Sequence, residues 1–426
     1  MCFAIASAML MPISVAASSD AGAEGSSAFG NYATARAANL GESALTQAEL
    51  LNVDIDKDNA VTAVDCTALK RLALTAEEAV TTIVFSDSEV KITGENASAN
   101  GGVVTLSGAG PFEISGKTAN GQIVIDSTVD VDITLMGLEL TNTTGPAIYG
   151  IAGDTTIKVK ADTENVLTDG EVYADITQTA CIQSADRLTF KGGGSLTVNS
   201  AANFGISGND EVKVKNGNIS IDSFGDALRA KDFVEITGGT LNIKSADGDG
   251  IKSTKGYVVI NQLDGETVVL LDADADALQA ETYLSIASAH VEGSGKRGIT
   301  ALTGTTLDNA DVYLTSKNAF DTTLLETNVY TMLLNFEQAD YPSGTELQVE
   351  DNNYAVILKM TAQKKFQYVL IADDSLTAGL PYSINDCNGS ICHWGSSSDT
   401  IFKLTELITS FDNVYLNSPV VTNSAS

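Results

Sequence analysis

The sequence predicts an all-β fold, a parallel β-helix solenoid, and three observations carry that reading. A short phrase recurs with one apolar anchor per copy, at Ile182, Ile206, Leu228, Ile251, Leu278 and Ile299, in steps of 24, 22, 23, 27 and 21 residues. The text between anchors repeats too, as Leu188-Thr189-Phe190 then Gly194-Ser195-Leu196-Thr197-Val198, and as Val234-Glu235-Ile236 then Gly239-Thr240-Leu241-Asn242-Ile243. Each unit therefore holds three short strand-type runs, separated by Gly, Asn and Asp turns and without a helical stretch. A period of this size with three strands per unit is that of stacked β coils, in which equivalent positions line up in columns.

Taken in order, residues 1–17 form an apolar stretch ending Ser14-Val15-Ala16-Ala17, which reads as a secretory signal and predicts an extracellular protein. Residues 18–43, rich in Ala, Ser, Gly and Asn, read as a linker. Within 44–80, Leu45–Leu51 and Cys66–Leu74 have helical apolar spacing and flank Asp54-Ile55-Asp56-Lys57-Asp58-Asn59-Ala60-Val61-Thr62-Ala63-Val64-Asp65. Counting Asp54 as the first position, carboxylates fall at the first, third, fifth and twelfth, with Thr62 at the ninth. That is the ligand spacing of an EF-hand-type calcium loop, with Asp54, Asp56, Asp58, the carbonyl of Ala60, Thr62 and Asp65 as candidate ligands. Asn59 stands where Gly usually makes the sharp turn, and Asn tolerates the left-handed conformation next best.

The solenoid is expected over 83–320, with Gly145-Pro146-Ala147-Ile148 as an early copy of the anchor and Asp162–Ala180 as an insert that lengthens the step from 148 to 182. Beyond it, Val329–Phe336, Tyr354–Met360 and Phe366–Ile371 read as strands of a C-terminal β cap over 321–426. The net charge of -31 argues against a nucleic-acid partner. No run beyond the leader approaches the ~18 apolar residues of a membrane span. Of five cysteines, Cys2 falls in the leader, Cys387 and Cys392 could close a small loop, and Cys66 and Cys181 read as free thiols.

Two columns carry the chemistry. Two residues before successive anchors stand Asp226, Asp249 and Asp276, and four before stand Asp247 and Asp274. Coils ~4.8 Å apart set unit charges against each other at roughly 3 to 4 kcal/mol for an effective dielectric near 20. A calcium ion between coils would relieve that, with Glu281 and Asp232 as further ligands; turn-capping Asp residues are the alternative. Strand parity bears on the choice: a residue two before a buried anchor points inward if the strand already runs through it. Gly248 and Gly250 favour a turn that frees the Asp249 carboxylate, an argument that Ala277 weakens beside Asp276. Arg229, Lys231, Lys252 and Arg297 border the ladder, either to balance charge or to meet the carboxylates of an acidic sugar.

Residues 50–75 resemble one repeat of a dockerin, which implies a cohesin-type scaffold as partner; dockerins use two such repeats and one is read here. The phrases Ser245-Ala246-Asp247-Gly248-Asp249-Gly250-Ile251-Lys252-Ser253, Asp276-Ala277-Leu278-Gln279-Ala280-Glu281-Thr282 and Gly238-Gly239-Thr240-Leu241-Asn242-Ile243 resemble a family of secreted β-helical carbohydrate-binding domains. So does Gly145-Pro146-Ala147-Ile148-Tyr149, and the resemblance covers about 83–320. It implies a right-handed, calcium-containing β-helix that binds polygalacturonate and cellulose and looks like a pectate lyase without being established as a catalyst. It also implies calcium ligands at Asp226, Asp247, Asp249, Asp274 and Asp276; Phe204 and Phe224 depart from the pattern. The expected function is non-catalytic, calcium-dependent binding of acidic plant-wall polysaccharide. The alternatives are a lyase using Lys252, Arg229 or Arg297 as base, and a calcium-stabilised adhesive protein.

Overall fold

The computed structural model describes residues 61–63, 66, 80–322, 325–327, 329–335, 343–351, 355–376, 381–386, 400–403 and 422–423. The chain divides into units of residues 1–78 and 79–426. In the first, the Thr62 carbonyl accepts the Cys66 amide at 3.1 Å. The leader, the linker, most of 44–80 and the Cys387–Cys392 loop lie outside the described residues.

Alternating apolar and polar residues make each run of the second unit a strand with one buried face. The anchors lie on strands Ala180–Ser184, Phe204–Gly208, Leu228–Ala230, Ile251–Ser253, Asp276–Ala280 and Arg297–Ala301, which pair in parallel. Ile182, Ile206, Leu228, Ile251, Leu278 and Ile299 are register partners down this anchor sheet, and none exposes any surface. The column continues back through Ile148 to Ile123. Burying each such side chain contributes roughly 1.5–3 kcal/mol, so the interior stack is the main source of cohesion.

Two further faces complete the coils, as a parallel solenoid of about ten turns. The second stacks Val212, Val234, Val258 and Leu284, and the third stacks Ile219, Leu241, Val269 and Val291. Near the start one strand serves both faces: Val131–Thr141 bends around the corner at Gly137, whose φ is 80°. In the coil after next the same corner holds Gly192, where a Cβ would stand 2.1 Å from the Val159 carbonyl oxygen, so only glycine fits. The expected insert proves smaller than 162–180. Glu164–Thr168 is a regular third-face strand, parallel to Ser195–Ser200. The extra chain is the loop that follows, pinned because Tyr173, Ser200 and the Ala201 amide all donate to the buried Asp169.

At both ends the strand direction reverses. Thr81–Phe85 pairs antiparallel with Val90–Thr93, and Ala97–Asn100 with Val103–Leu106. At the other end Tyr368–Asp373 runs antiparallel to Asp311–Ser316 and to Tyr330–Asn335. A five-stranded antiparallel sheet follows from Glu346, with its own core of Leu347, Val349, Leu358, Met360, Phe366 and Ile371. Between its strands, residues 361–364 lie across the third face as a strap. Thr361 donates its amide to Glu292, Gln363 donates to Ser294 Oγ, and Lys364 reaches Asp274 at 3.2 Å. No helix among the described residues is long and apolar enough to cross a membrane.

Candidate functional site

The aspartate ladder is buried. Standing two residues before the anchors, Asp226, Asp249 and Asp276 are 6%, 4% and 2% exposed, although the anchor strands Leu228–Ala230 and Ile251–Ser253 begin only after Asp226 and Asp249. Each satisfies the next coil: Asp226 Oδ1 accepts the Asp249 amide at 3.0 Å, and Asp249 Oδ1 accepts the Asp276 amide at 2.7 Å. Their other oxygens take Arg229 at 3.2 Å and Lys252 at 2.6 Å. Asp276 accepts Arg297 Nε at 3.0 Å and Thr300 Oγ1 at 2.7 Å. Lys252 Nζ also lies 3.7 Å from Asp226, so the position between coils where calcium was expected holds an ammonium group. Burial pushes the Asp249 carboxyl above the usual carboxylate range, against the opposing pull of Lys252.

This donor set does not fit a calcium cage, since all six ladder oxygens already have protein donors. Asp247, Asp274 and Glu281 are exposed and stand outside the ladder, because four before or three after an anchor falls on the turn or the outer surface. Asp274 is engaged by Lys364 of the strap. Of the N-terminal loop only Thr62 among the expected ligands is described; Asp54, Asp56, Asp58, Ala60 and Asp65 lie outside the described residues. The acidic trio whose oxygens do converge within 4.8 Å, among the described residues, is Asp311, Asp373 and Asp374. Burial first, and then Asp373 and Asp374, push the Asp311 carboxyl up. Their coming together depends on the reversed strand at the C-terminal end, which no repeat in the sequence announces.

The outward positions of the anchor sheet form a groove of about 600 Å³. Its floor is the column one residue after the anchors, running Tyr149, Gln183, Ser207, Arg229 in register. Its wall adds residues three after the anchors or nearby, including Ile151, Asn209, Lys231 and Lys255. It thus crosses five coils, four spacings or roughly 19 Å. Gln183 is fixed as part of the floor, accepting the Thr179 amide at 2.6 Å. Arg229 is fixed too, with its guanidinium 4.2 Å from the centre of the Phe204 ring and bonded to Asp226. Gly225 makes room for that ring, since a Cβ there would stand 2.8 Å from Phe204 Cδ1.

Lys231 and Lys255 differ from the ladder cations. Their backbones are one coil apart, with the Lys255 amide bonded to the Lys231 carbonyl at 2.8 Å. Neither ammonium group has a carboxylate partner among the described residues. Of the four cations expected to meet ligand, Arg229 and Lys231 line the groove, whereas Lys252 and Arg297 serve the ladder. Tyr149, Phe204, Asn209 and Lys255 were not foreseen as groove residues. The signal for Tyr149 and Asn209 was in the repeat, since positions one and three after a buried anchor face outward along the strand. A smaller cleft of about 300 Å³ lies between the third face and the strap, lined in part by Asn242, Lys244, Leu270, Asp272 and Glu292.

A family model described as carbohydrate-binding domain-containing protein matches residues 100–327. A carbohydrate-binding domain-containing protein of Acetivibrio thermocellus is 34% identical over 148 residues, which is 33% of this chain and 52% of that relative. The chain therefore spans about half the length of the curated relative it matches. A solved structure described as a polysaccharide lyase-like protein from C. thermocellum, gadolinium derivative, is 28% identical. It covers 58% of this chain and 97% of its own, with a TM-score of 0.47.

Proposed function

Since the chain belongs to the family of carbohydrate-binding domain-containing proteins, we propose that it binds an acidic polysaccharide in the anchor-sheet groove, without catalysis. The observation that carries this is the pair Lys231 and Lys255. In a chain with 55 acidic residues against 24 basic ones, two groove lysines on adjacent coils have no carboxylate partner among the described residues. A ligand carboxylate can supply it, with charge-assisted bonds of about 2.7–2.9 Å. The overall charge of -31 opposes any polyanion, so the attraction has to be local: salt screens charges beyond ~8 Å, and the lysine pair acts within that distance.

Catalysis of the lyase type needs a side chain free to take a proton. Arg229, Lys252 and Arg297 each already donate to a ladder carboxylate, which makes them poor candidates for that base. In this reading calcium belongs to the 54–65 loop, where it would order the N-terminal unit, and not to the groove. An extracellular location and a cohesin-type scaffold suit a protein that meets plant-wall polysaccharide, and both are part of the proposal.

The test is calorimetric titration of the full chain with an oligouronate, with and without chelator. Wild-type binding should persist in chelator, and the Lys231→Ala/Lys255→Ala variant should bind about tenfold more weakly or worse. Loss of wild-type binding in chelator would return the ion to the ligand site. Growth of an ultraviolet-absorbing unsaturated product would establish a lyase.

A further inference from the structure

The charge in the groove is not spread along it. The three coils at one end, carrying Tyr149, Gln183, Ser207 and Asn209, contribute hydroxyls, amides and apolar surface but no charged side chain to the lining. The two coils at the other end contribute Arg229, Lys231 and Lys255, and the lining holds no Asp or Glu. Arg229 is already bonded to Asp226 and seated on Phe204, so the charge left for a ligand is the Lys231 and Lys255 pair. Two ammonium groups borne one coil apart suit one carboxylate held between them rather than a row of carboxylates.

We infer, building on the groove assignment above, that the ligand is a mixed oligosaccharide: neutral sugars over the 149–209 coils and a single acidic residue over Lys231 and Lys255. The groove therefore reads the chain in one direction. A uniform polyuronate would set carboxylates against the three uncharged coils as well. There each would lose water without gaining an opposite charge, which is the costly way to bury a carboxylate. A neutral sugar loses little there, because its hydroxyls exchange water for the Ser207 and Asn209 side chains and its apolar edge meets the Tyr149 ring. Specificity then comes as much from refusing extra charge as from binding the one carboxylate.

The experiment compares four oligosaccharides of equal length on the full chain. One is neutral, one is entirely uronate, and two are neutral with a single uronic acid at the reducing or at the non-reducing end. One singly acidic form should bind tightest, about tenfold or more above the other three. Lys231→Ala/Lys255→Ala should bring it down to the neutral form, while Asn209→Ala should weaken the neutral and the preferred acidic form alike. Equal or tighter binding of the all-uronate form overturns the inference while leaving the groove assignment intact. Equal binding of the two end-capped forms overturns the directionality. If neither groove variant changes the binding of any of the four, the groove assignment itself fails.

Discussion

Replacing Asp249 separates the two tasks its carboxylate performs. One oxygen accepts the Asp276 amide of the next coil, and the other accepts Lys252. In Asp249→Ala the Asp276 amide, on a residue only 2% exposed, is left without an acceptor, which costs about 1–3 kcal/mol. Lys252 keeps only Asp226 at 3.7 Å; its side chain is 23% exposed, so water offsets much of the ~3–5 kcal/mol that a fully buried orphaned charge would cost. We expect a total near 3 kcal/mol. Asp249→Asn keeps an oxygen for the Asp276 amide and removes a charge that burial already disfavours, so its cost should be about 1 kcal/mol. The difference of about 2 kcal/mol is roughly thirtyfold in the unfolding equilibrium. Urea is the right denaturant, because guanidinium salt would screen the ion pairs under test. Hydrogen exchange at the Asp276 amide should speed up in the Ala variant only. An Asn variant as unstable as the Ala variant would refute the assignment of the larger share to the inter-coil hydrogen bond.

Three further outcomes follow from the same contacts. Ile251→Ala, in the fully buried column between Leu228 and Leu278, should cost about 2–5 kcal/mol by urea unfolding, whereas exposed Lys255→Ala should change stability by less than ~0.5. Gly248→Ala places a Cβ 2.4 Å from the Asp226 amide nitrogen; pushing those coils apart should cost about 1–3 kcal/mol and show as a lower melting temperature. The third concerns pH. The raised folded-state value of Asp249 gives a stability contribution that is fully present below the ordinary carboxylate value and lost as pH rises through the raised one. The stability of wild type minus that of Asp249→Asn should therefore grow as pH falls from neutrality, and a shrinking difference would mean that Lys252 outweighs burial.

The coil repeat was legible because each copy must bury one large aliphatic at the same slot; Ile206, Leu228 and Ile251 keep that slot although the steps between them differ. The ladder was legible as a column of Asp residues, but its burial was not, because the sequence left open whether a strand or a turn runs through those positions. What satisfies them was not legible. Lys252 lies three residues after Asp249 and reaches it on its own coil, while Arg297 is the register partner of Asp276 one coil further on. Both were read as possible ligand contacts, since a sequence does not say which oxygen a flexible cation reaches. Lys231 and Lys255 become informative only by what they lack, and a missing partner is a three-dimensional fact. The strap at 361–364 was likewise invisible, because Gln363 and Ser294 are 69 residues apart and share no repeat.

The reversed strands at the ends of the coil stack bear on how many molecules a solution contains. Parallel coils present the same edge after every turn, so nothing in the repeat itself sets a length, and a second copy could add as readily as the next coil. Strands of opposite direction at Val90–Thr93, Ala97–Asn100 and Tyr368–Asp373 break that equivalence, because they cannot be continued by another turn of the same kind. They work as stops against filament growth. A chain cut back to its coils would keep the groove and lose the means of remaining a discrete particle.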